Sequence, residues 1–164
     1  MQETAFLIGM AQLALVLTGL IGIFVVFLIG EGAKSRVNTH HAASMLSCSL
    51  GTVAAALVPL ILDAYGLSGP ALWVASSYVF LIAGAAVTLM MATLTFQLTP
   101  AERKELGPLH LVVSYGLGAC TFGLLVWNVA MTPLVGNYVL AISLMFVVAV
   151  IGFTTFSLQK ILHW

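Results

Sequence analysis

Four histidines are the residues of this sequence best suited to ligand chemistry. They are His40, His41, His110 and His163, and imidazole is a common ligand of haem iron and of transition metals. Adjacent residues of a helix point about 100° apart, so His40 and His41 do not easily serve one metal together. His41 and His110 each precede a long apolar segment, and they are the pair expected to hold a haem b if the chain is a redox subunit. All four also lie near the predicted water boundary, so a role as polar interfacial residues stays open.

Sequence motifs that mark catalytic sites are absent. The chain contains no HExxH, CxxC, CxxCH, Walker or Gly-x-Ser-x-Gly sequence, so we expect no catalytic residue, no resident metal and no enzymatic activity. None of the five basic and five acidic residues falls near the middle of a predicted membrane span. A carrier coupled to ions or protons is therefore not expected, whereas a passive pathway for a neutral solute remains open.

The composition is that of a membrane protein. Hydrophobic residues make up 62% and charged residues 6% of the 164 residues, against roughly 25% charged residues in a soluble domain. The formal net charge is zero, which leaves no basic surface for a nucleic acid. Cys48 and Cys120 both lie in apolar runs, where we expect small core residues rather than a disulfide.

Five uncharged segments are long enough to cross a bilayer, which needs roughly 20 apolar residues in a helix. Turn signals rich in glycine and proline divide the two longest uncharged runs. Thr99 to Glu102 fits a capping box with a proline at the first helical position, which predicts a short helix along the membrane surface. The sequence thus predicts one all-α domain over residues 1–164, a bundle with spans near 5–30, 42–62, 71–96, 111–131 and 138–158 and a surface helix near 100–106.

The basic residues sort to one side of such a bundle. Lys34 and Arg36 lie between the first two spans, Arg103 and Lys104 between the third and fourth, and Lys160 after the fifth. The positive-inside rule then places the N-terminus outside and the C-terminus in the cytoplasm, in the inner membrane of a bacterium.

Small and polar residues define the faces that we expect to pack against other helices. In lipid, helices associate through small residues and interhelical hydrogen bonds, and Pro59 is expected to kink the second span. The leucine-rich face of that span is expected to face lipid, at Leu46, Leu50, Val53, Leu57 and Leu60. The expected packing residues are Ser44, Cys48, Gly51 and Ala55 in the second span and Ser114, Gly118, Thr121 and Asn128 in the fourth.

Aromatic residues near the predicted boundaries fit an interfacial belt. Tyr65, Trp73, Trp127 and Tyr138 mark the outer surface and Trp164 the inner one. We expect these side chains to set the depth of the protein in the bilayer.

Several stretches resemble a group of small bacterial multi-pass membrane proteins that have no assigned activity. They include the segment from Gly19 to Gly30, the segment from Ser49 to Leu60, Gly66-Leu67-Ser68 with Trp73, and Asn128 followed by the last helix. The resemblance implies several apolar spans with this order of loops, and it implies no catalytic residue.

These observations lead to three hypotheses about function. The first is an accessory, structural or assembly subunit of a larger membrane complex, in contact with other membrane subunits or with a second copy of itself. The second is a redox subunit with haem b, and the third is a passive transporter or channel for a small solute.

Overall fold

The computed structural model describes the backbone of residues 2–30, 35–106 and 108–162 and the side chains of 2–27, 35–106 and 111–158. These residues are helical apart from short turns, and five of the helices are long and apolar enough to cross a membrane. The prediction of an all-α chain with five helices able to cross a membrane is thereby confirmed. The helices are α1 (Gln2–Gly30), α2 (Arg36–Ala64), α3 (Gly69–Phe96), α4 (Pro100–Leu106), α5 (Pro108–Ala130) and α6 (Val135–Leu162).

Several helices extend beyond the predicted spans. The spans are predicted from uncharged segments, which indicate the part of a helix suited to hydrocarbon and not where the helix begins or ends. The clearest case is α2, which begins at Arg36 rather than near residue 42. The hydroxyl of Ser35 accepts a hydrogen bond from the backbone N–H of Asn38 at 3.0 Å and so caps the first turn. As a result, His40 and His41 lie within a helix and not ahead of one.

The capping box predicted at the start of α4 is confirmed. The backbone N–H of Thr99 donates to the carboxylate of Glu102 at 2.7 Å, and the N–H of Glu102 donates back to the Thr99 hydroxyl at 3.3 Å. Hydrogen bonds from Thr99, helped by the positive charge of Arg36, hold the pKa of the Glu102 carboxyl below its ordinary value. Because Pro100 follows this cap directly, the short helix α4 starts where the sequence predicts.

Helices α2 and α6 form the centre of the bundle. α2 packs against α1, α3 and α6, while α5 packs against α6 and α3. Four helices, α2, α3, α5 and α6, therefore surround an interior, and α1 lies outside this group against α2. The hydroxyls of Thr18 and Ser49 meet at 2.7 Å across the contact between α1 and α2, where interhelical polar contacts of this kind add to association in lipid.

Basic residues gather at one end of the bundle. Arg36 donates to a backbone carbonyl at the C-terminal end of α3 at 3.2 Å, and Arg103 donates to two others at 3.1 Å each. Lys104 follows in α4, and the backbone of Lys160 lies in the last turns of α6, which end on the same side. Lys34 lies outside the described residues. We call this the basic end of the bundle.

Pro59 lies buried inside α2, and the helix continues through it from Arg36 to Ala64. Proline has no N–H to give to the carbonyl four residues earlier, which is that of Ala55. The hydroxyl of Tyr138, on α6, donates to this carbonyl at 2.8 Å. The backbone acceptor that Pro59 leaves unused is thus satisfied by a side chain from another helix.

Tyr138 does not belong to an aromatic belt, and that part of the prediction is wrong. Its side chain is fully buried and its ring lies 5.7 Å from the ring of Trp73, because the hydroxyl finds its partner inside the bundle. Tyr65 and Trp127 are exposed, as an interfacial position requires, whereas Trp73 is half-buried. Trp164 lies outside the described residues.

Candidate ligand-binding cavity

A cavity of about 380 Å³ lies in the bundle among α2, α3, α5 and α6. Its deeper walls are apolar and include the rings of Phe80 and Phe122 and the side chains of Leu125 and Met145. Its polar lining residues, apart from Thr121, lie in the half of the cavity toward the basic end. They are His40 and Ser44 on α2, Thr88 on α3, and Ser114 and Tyr115 on α5.

Five of the residues predicted to pack between helices line this cavity instead. Small side chains on α2 and α5 face one another across a space, so their size gives room for a cavity where we expected a close helix contact. The hydroxyl of Thr121 is satisfied within α5, where it donates to the carbonyl of Leu117 at 3.0 Å. The five residues are Ser44, Cys48, Ser114, Gly118 and Thr121.

Gly51 and Ala55 are two predicted packing residues that do meet another helix. A side chain at Gly51 would collide with the methyl group of Met145 on α6, so the Met145 side chain packs over Gly51. Ala55 is buried, and its carbonyl accepts the hydrogen bond from Tyr138. The C-terminal half of α2 is therefore packed against α6 at these two residues, while its N-terminal half borders the cavity.

Asn128 is fully buried at the end of α5. Its amide donates to the carbonyl of Leu134 at 3.1 Å and its oxygen accepts from the Leu134 N–H, also at 3.1 Å. The same oxygen accepts from Asn137 at 3.1 Å, and the amide reaches Ser77 on α3 at 3.4 Å. Asn128 therefore organises the turn between α5 and α6 and links it to a third helix, a role distant from the cavity.

His40 is the histidine that lies against the cavity. Its ring is buried, and Nε2 lies 2.8 Å from the hydroxyl of Thr95 on α3. That hydroxyl also lies 2.8 Å from the carbonyl of Met91 and 3.2 Å from the hydroxyl of Tyr115 on α5. A carbonyl only accepts, so the contacts are all satisfied when Thr95 donates to Met91 and accepts from His40 and Tyr115. Three helices are thus joined at the polar end of the cavity.

A second, more polar space adjoins His40 on its other side. This cleft of about 510 Å³ is lined by the first turns of α2, including Arg36, and by the C-terminal end of α3 and the residues just after it, including Gln97. His40 lines both the cleft and the cavity. His40 therefore lies between the interior cavity and the cleft at the basic end.

His41 points to a different neighbour. Its ring stacks on that of Phe156 of α6, with 4.8 Å between ring centroids and an interplanar angle of 22°. It is not among the residues that line the cavity. His110 lies in the first turn of α5 with its side chain outside the described residues, and His163 also lies outside them, so a haem site at His41 and His110 stays a prediction. Among the residues whose side chains are described, no cluster of three metal-ligating side chains occurs.

Three hydroxyls of the cavity are open to a ligand, those of Ser44, Ser114 and the exposed Thr88. Within the part of the chain that the structure describes, neither Ser44 nor Ser114 has a hydrogen-bond partner, although both line the cavity. Polar groups that converge in an otherwise apolar cavity are the features that orient a bound small molecule.

The cavity opens sideways between α3 and α5. Thr88 on α3 and Tyr115 and Ala119 on α5 line it and are also exposed. Farther from the basic end the gap is closed, since Phe122 lies against Gly84 of α3. Thr88 lies eight residues before the end of α3, or about 12 Å along the helix axis. The opening is therefore beside the bundle and not at its end.

Sequence reasoning missed Thr95 and Tyr115 and gave His40 no specific partner. A signal was present, because a hydroxyl and a phenol near the basic ends of two apolar helices are groups that need partners in lipid. Which helix carries the partner depends on helix order, and the pattern of one sequence does not supply that order.

Comparisons with known proteins leave the resemblance to small bacterial membrane proteins a prediction. No family model matches the chain, and neither a curated protein nor a solved structure matches it. The cavity and its hydrogen bonds are therefore the observations on which a function is argued.

Proposed function

We propose that this chain is a non-enzymatic integral membrane protein that binds an apolar small molecule between α2, α3, α5 and α6. The observation that carries the proposal is the cavity of about 380 Å³, a volume within the range of roughly 300–1,000 Å³ that is usual for small-molecule sites. Its walls are mainly apolar with a few hydroxyls at one end, which is the usual composition of such sites.

The position of the opening indicates how the ligand arrives. In a membrane-spanning bundle, a gap between α3 and α5 about 12 Å from the end of α3 lies at the depth of the lipid chains. An apolar molecule dissolved in the bilayer reaches the cavity there without crossing water. This route favours a binding protein or a passive carrier over a pore, which would open at both ends of the bundle.

We propose further that the bundle lies in a bacterial cytoplasmic membrane with its N-terminus outside and its basic end in the cytoplasm. In a background with Cys48→Ser and Cys120→Ser, cysteine at Ser68 should react with a membrane-impermeant maleimide in intact spheroplasts. Cysteine at Glu105 should react only after lysis. Labelling of both sites in intact spheroplasts, or of Glu105→Cys alone, would contradict this orientation.

Filling the cavity is expected to abolish binding. Gly118 lines the cavity, and no atom lies within 4 Å of a side chain built there, so Gly118→Leu places its side chain in the ligand's space. Binding of 1-methylnaphthalene is measured by equilibrium dialysis against nanodiscs that carry the protein, with empty nanodiscs subtracted. The affinity of Gly118→Leu should fall at least about tenfold, or 1.4 kcal/mol.

The matched control is Gly116→Leu. Gly116 lies on the same helix, is exposed, and also has no atom within 4 Å of a side chain built there, but it does not line the cavity. This variant makes the same change in side chain and in helix propensity, and it should bind as the wild type does. Equal affinity in the two variants would count against the cavity as the binding site.

An accessory-subunit role is a second proposal. The exposed surface of α5 carries small residues at helical spacing, Gly116, Cys120 and Gly123, and small residues are typical of surfaces where another transmembrane helix packs closely. Purification from native membranes distinguishes the two roles: a membrane protein that co-elutes in fixed stoichiometry supports a subunit, and a single chain that retains probe binding supports a binding protein.

A further inference from the structure

The cavity is polar at one end and apolar at the other. His40, Ser44 and Ser114 line the half toward the basic end, while Phe80, Leu125 and their neighbours line the other half. A molecule that fills this space is therefore met by hydrogen-bonding groups at one of its ends only. Building on the proposed function, we infer that the ligand is an uncharged molecule with an apolar body and a single hydroxyl or carbonyl group, which lies against Ser44 and Ser114.

The hydroxyls of these two serines are suited to such a group. Neither has a hydrogen-bond partner within the described residues, and Ser44 is buried. A ligand that supplies a donor or an acceptor to these hydroxyls gains a hydrogen bond in a mostly apolar space. Hydroxyl groups both donate and accept, so this pair accommodates either an alcohol or a ketone.

The lack of charged side chains among the described residues of the cavity lining favours an uncharged ligand. Arg36 lies in the cleft on the other side of His40, and no Asp, Glu, Lys or Arg occurs among the described residues that line the cavity. An anion or a cation in this space would have to leave water without a counter-ion, which is strongly unfavourable. His40 itself is engaged with Thr95 and lies at the polar end of the cavity.

Two probes of similar shape test the inference, 1-naphthol and 1-methylnaphthalene, which differ by a hydroxyl in place of a methyl group. The measured quantity is the ratio of their dissociation constants in the wild type and in the double variant Ser44→Ala/Ser114→Ala, by dialysis against protein nanodiscs corrected for empty ones. Partition into lipid is the same for both proteins and cancels in this comparison. The preference for 1-naphthol should fall about tenfold in the double variant, with 1-methylnaphthalene binding nearly unchanged.

Ser76→Ala provides the control. Its hydroxyl is buried on α3 and has no partner within the described residues, yet Ser76 does not line the cavity. This variant should keep the wild-type preference. The inference about the polar group is overturned if the double variant keeps the preference for 1-naphthol, or if Ser76→Ala loses it to the same extent. In either case the proposed function stands as long as the probes bind the wild type. Failure of both probes to bind the wild type above empty nanodiscs overturns the proposed function and the inference together.

Discussion

Replacing Asn128 with alanine is expected to destabilise the bundle by about 2–3 kcal/mol. The side chain takes part in four hydrogen bonds, two of them to the backbone of Leu134 in the turn between α5 and α6. A hydrogen bond contributes roughly 0.5–1.5 kcal/mol, and a buried partner left unsatisfied costs more. The free energy of unfolding, measured in mixed micelles by titration with a denaturing detergent, gives the effect directly.

Asn137→Ala is the matched variant for this measurement. Asn137 makes one of the same hydrogen bonds, from its amide to the oxygen of Asn128 at 3.1 Å, and it leaves the contacts with Leu134 in place. Its loss should cost less than about 1 kcal/mol. An equal cost for the two variants would show that Asn128 does not organise the turn through the backbone of Leu134.

Tyr138→Phe is expected to cost about 1–3 kcal/mol, because it keeps the ring and removes the only side-chain group that satisfies the Ala55 carbonyl in the described structure. The reason for the cost is the proline one turn later in α2. With Pro59 in place, the backbone N–H that would normally donate to this carbonyl is missing.

Pro59→Ala restores the missing N–H and so tests whether Tyr138 replaces it. In the Pro59→Ala background the helix itself can satisfy the carbonyl of Ala55, so Tyr138→Phe should cost at least about 1 kcal/mol less than in the wild type. Unfolding free energies of the four proteins in this double-mutant cycle give the coupling. Additive effects of the two substitutions would contradict the pairing of Tyr138 with the carbonyl that Pro59 leaves unused.

The number of spanning helices was predictable from the sequence, and the helix neighbours were not. Charge-free length, together with the turn residues that divide the two longest uncharged runs, finds the five long helices. Leu50 and Leu57 are exposed, as expected of a lipid-facing surface. Leu46, Val53 and Leu60 instead contact buried core residues, because a leucine suits both lipid and a protein interior, and its type does not reveal which surrounds it.

The candidate site was predictable only as a set of inward-facing residues. Ser44, Cys48, Ser114 and Gly118 are small, and small residues allow either a close helix contact or an open space. Which of these occurs depends on how far apart the neighbouring helices hold α2 and α5. That separation follows from contacts elsewhere, such as Gly84 against Phe122 and Gly51 against Met145, which join residues remote in sequence.

For His40 and His41, too, the sequence does not predict which side chains they contact. Adjacent residues of a helix point in different directions, so the sequence predicts that His40 and His41 have different neighbours. It does not predict that His40 meets Thr95 while His41 stacks on Phe156. The identity of each neighbour depends on the order of helices around α2.

The most direct test of the ligand cavity is a crystal structure of the protein grown with 1-bromonaphthalene, because the anomalous signal of bromine locates the molecule without reference to affinity. We expect one bromine peak per chain inside the bundle, next to Gly118 and between α3 and α5, and no such peak in crystals of Gly118→Leu. Bromine found only on the outer, lipid-facing surfaces of wild-type crystals would contradict the proposed function.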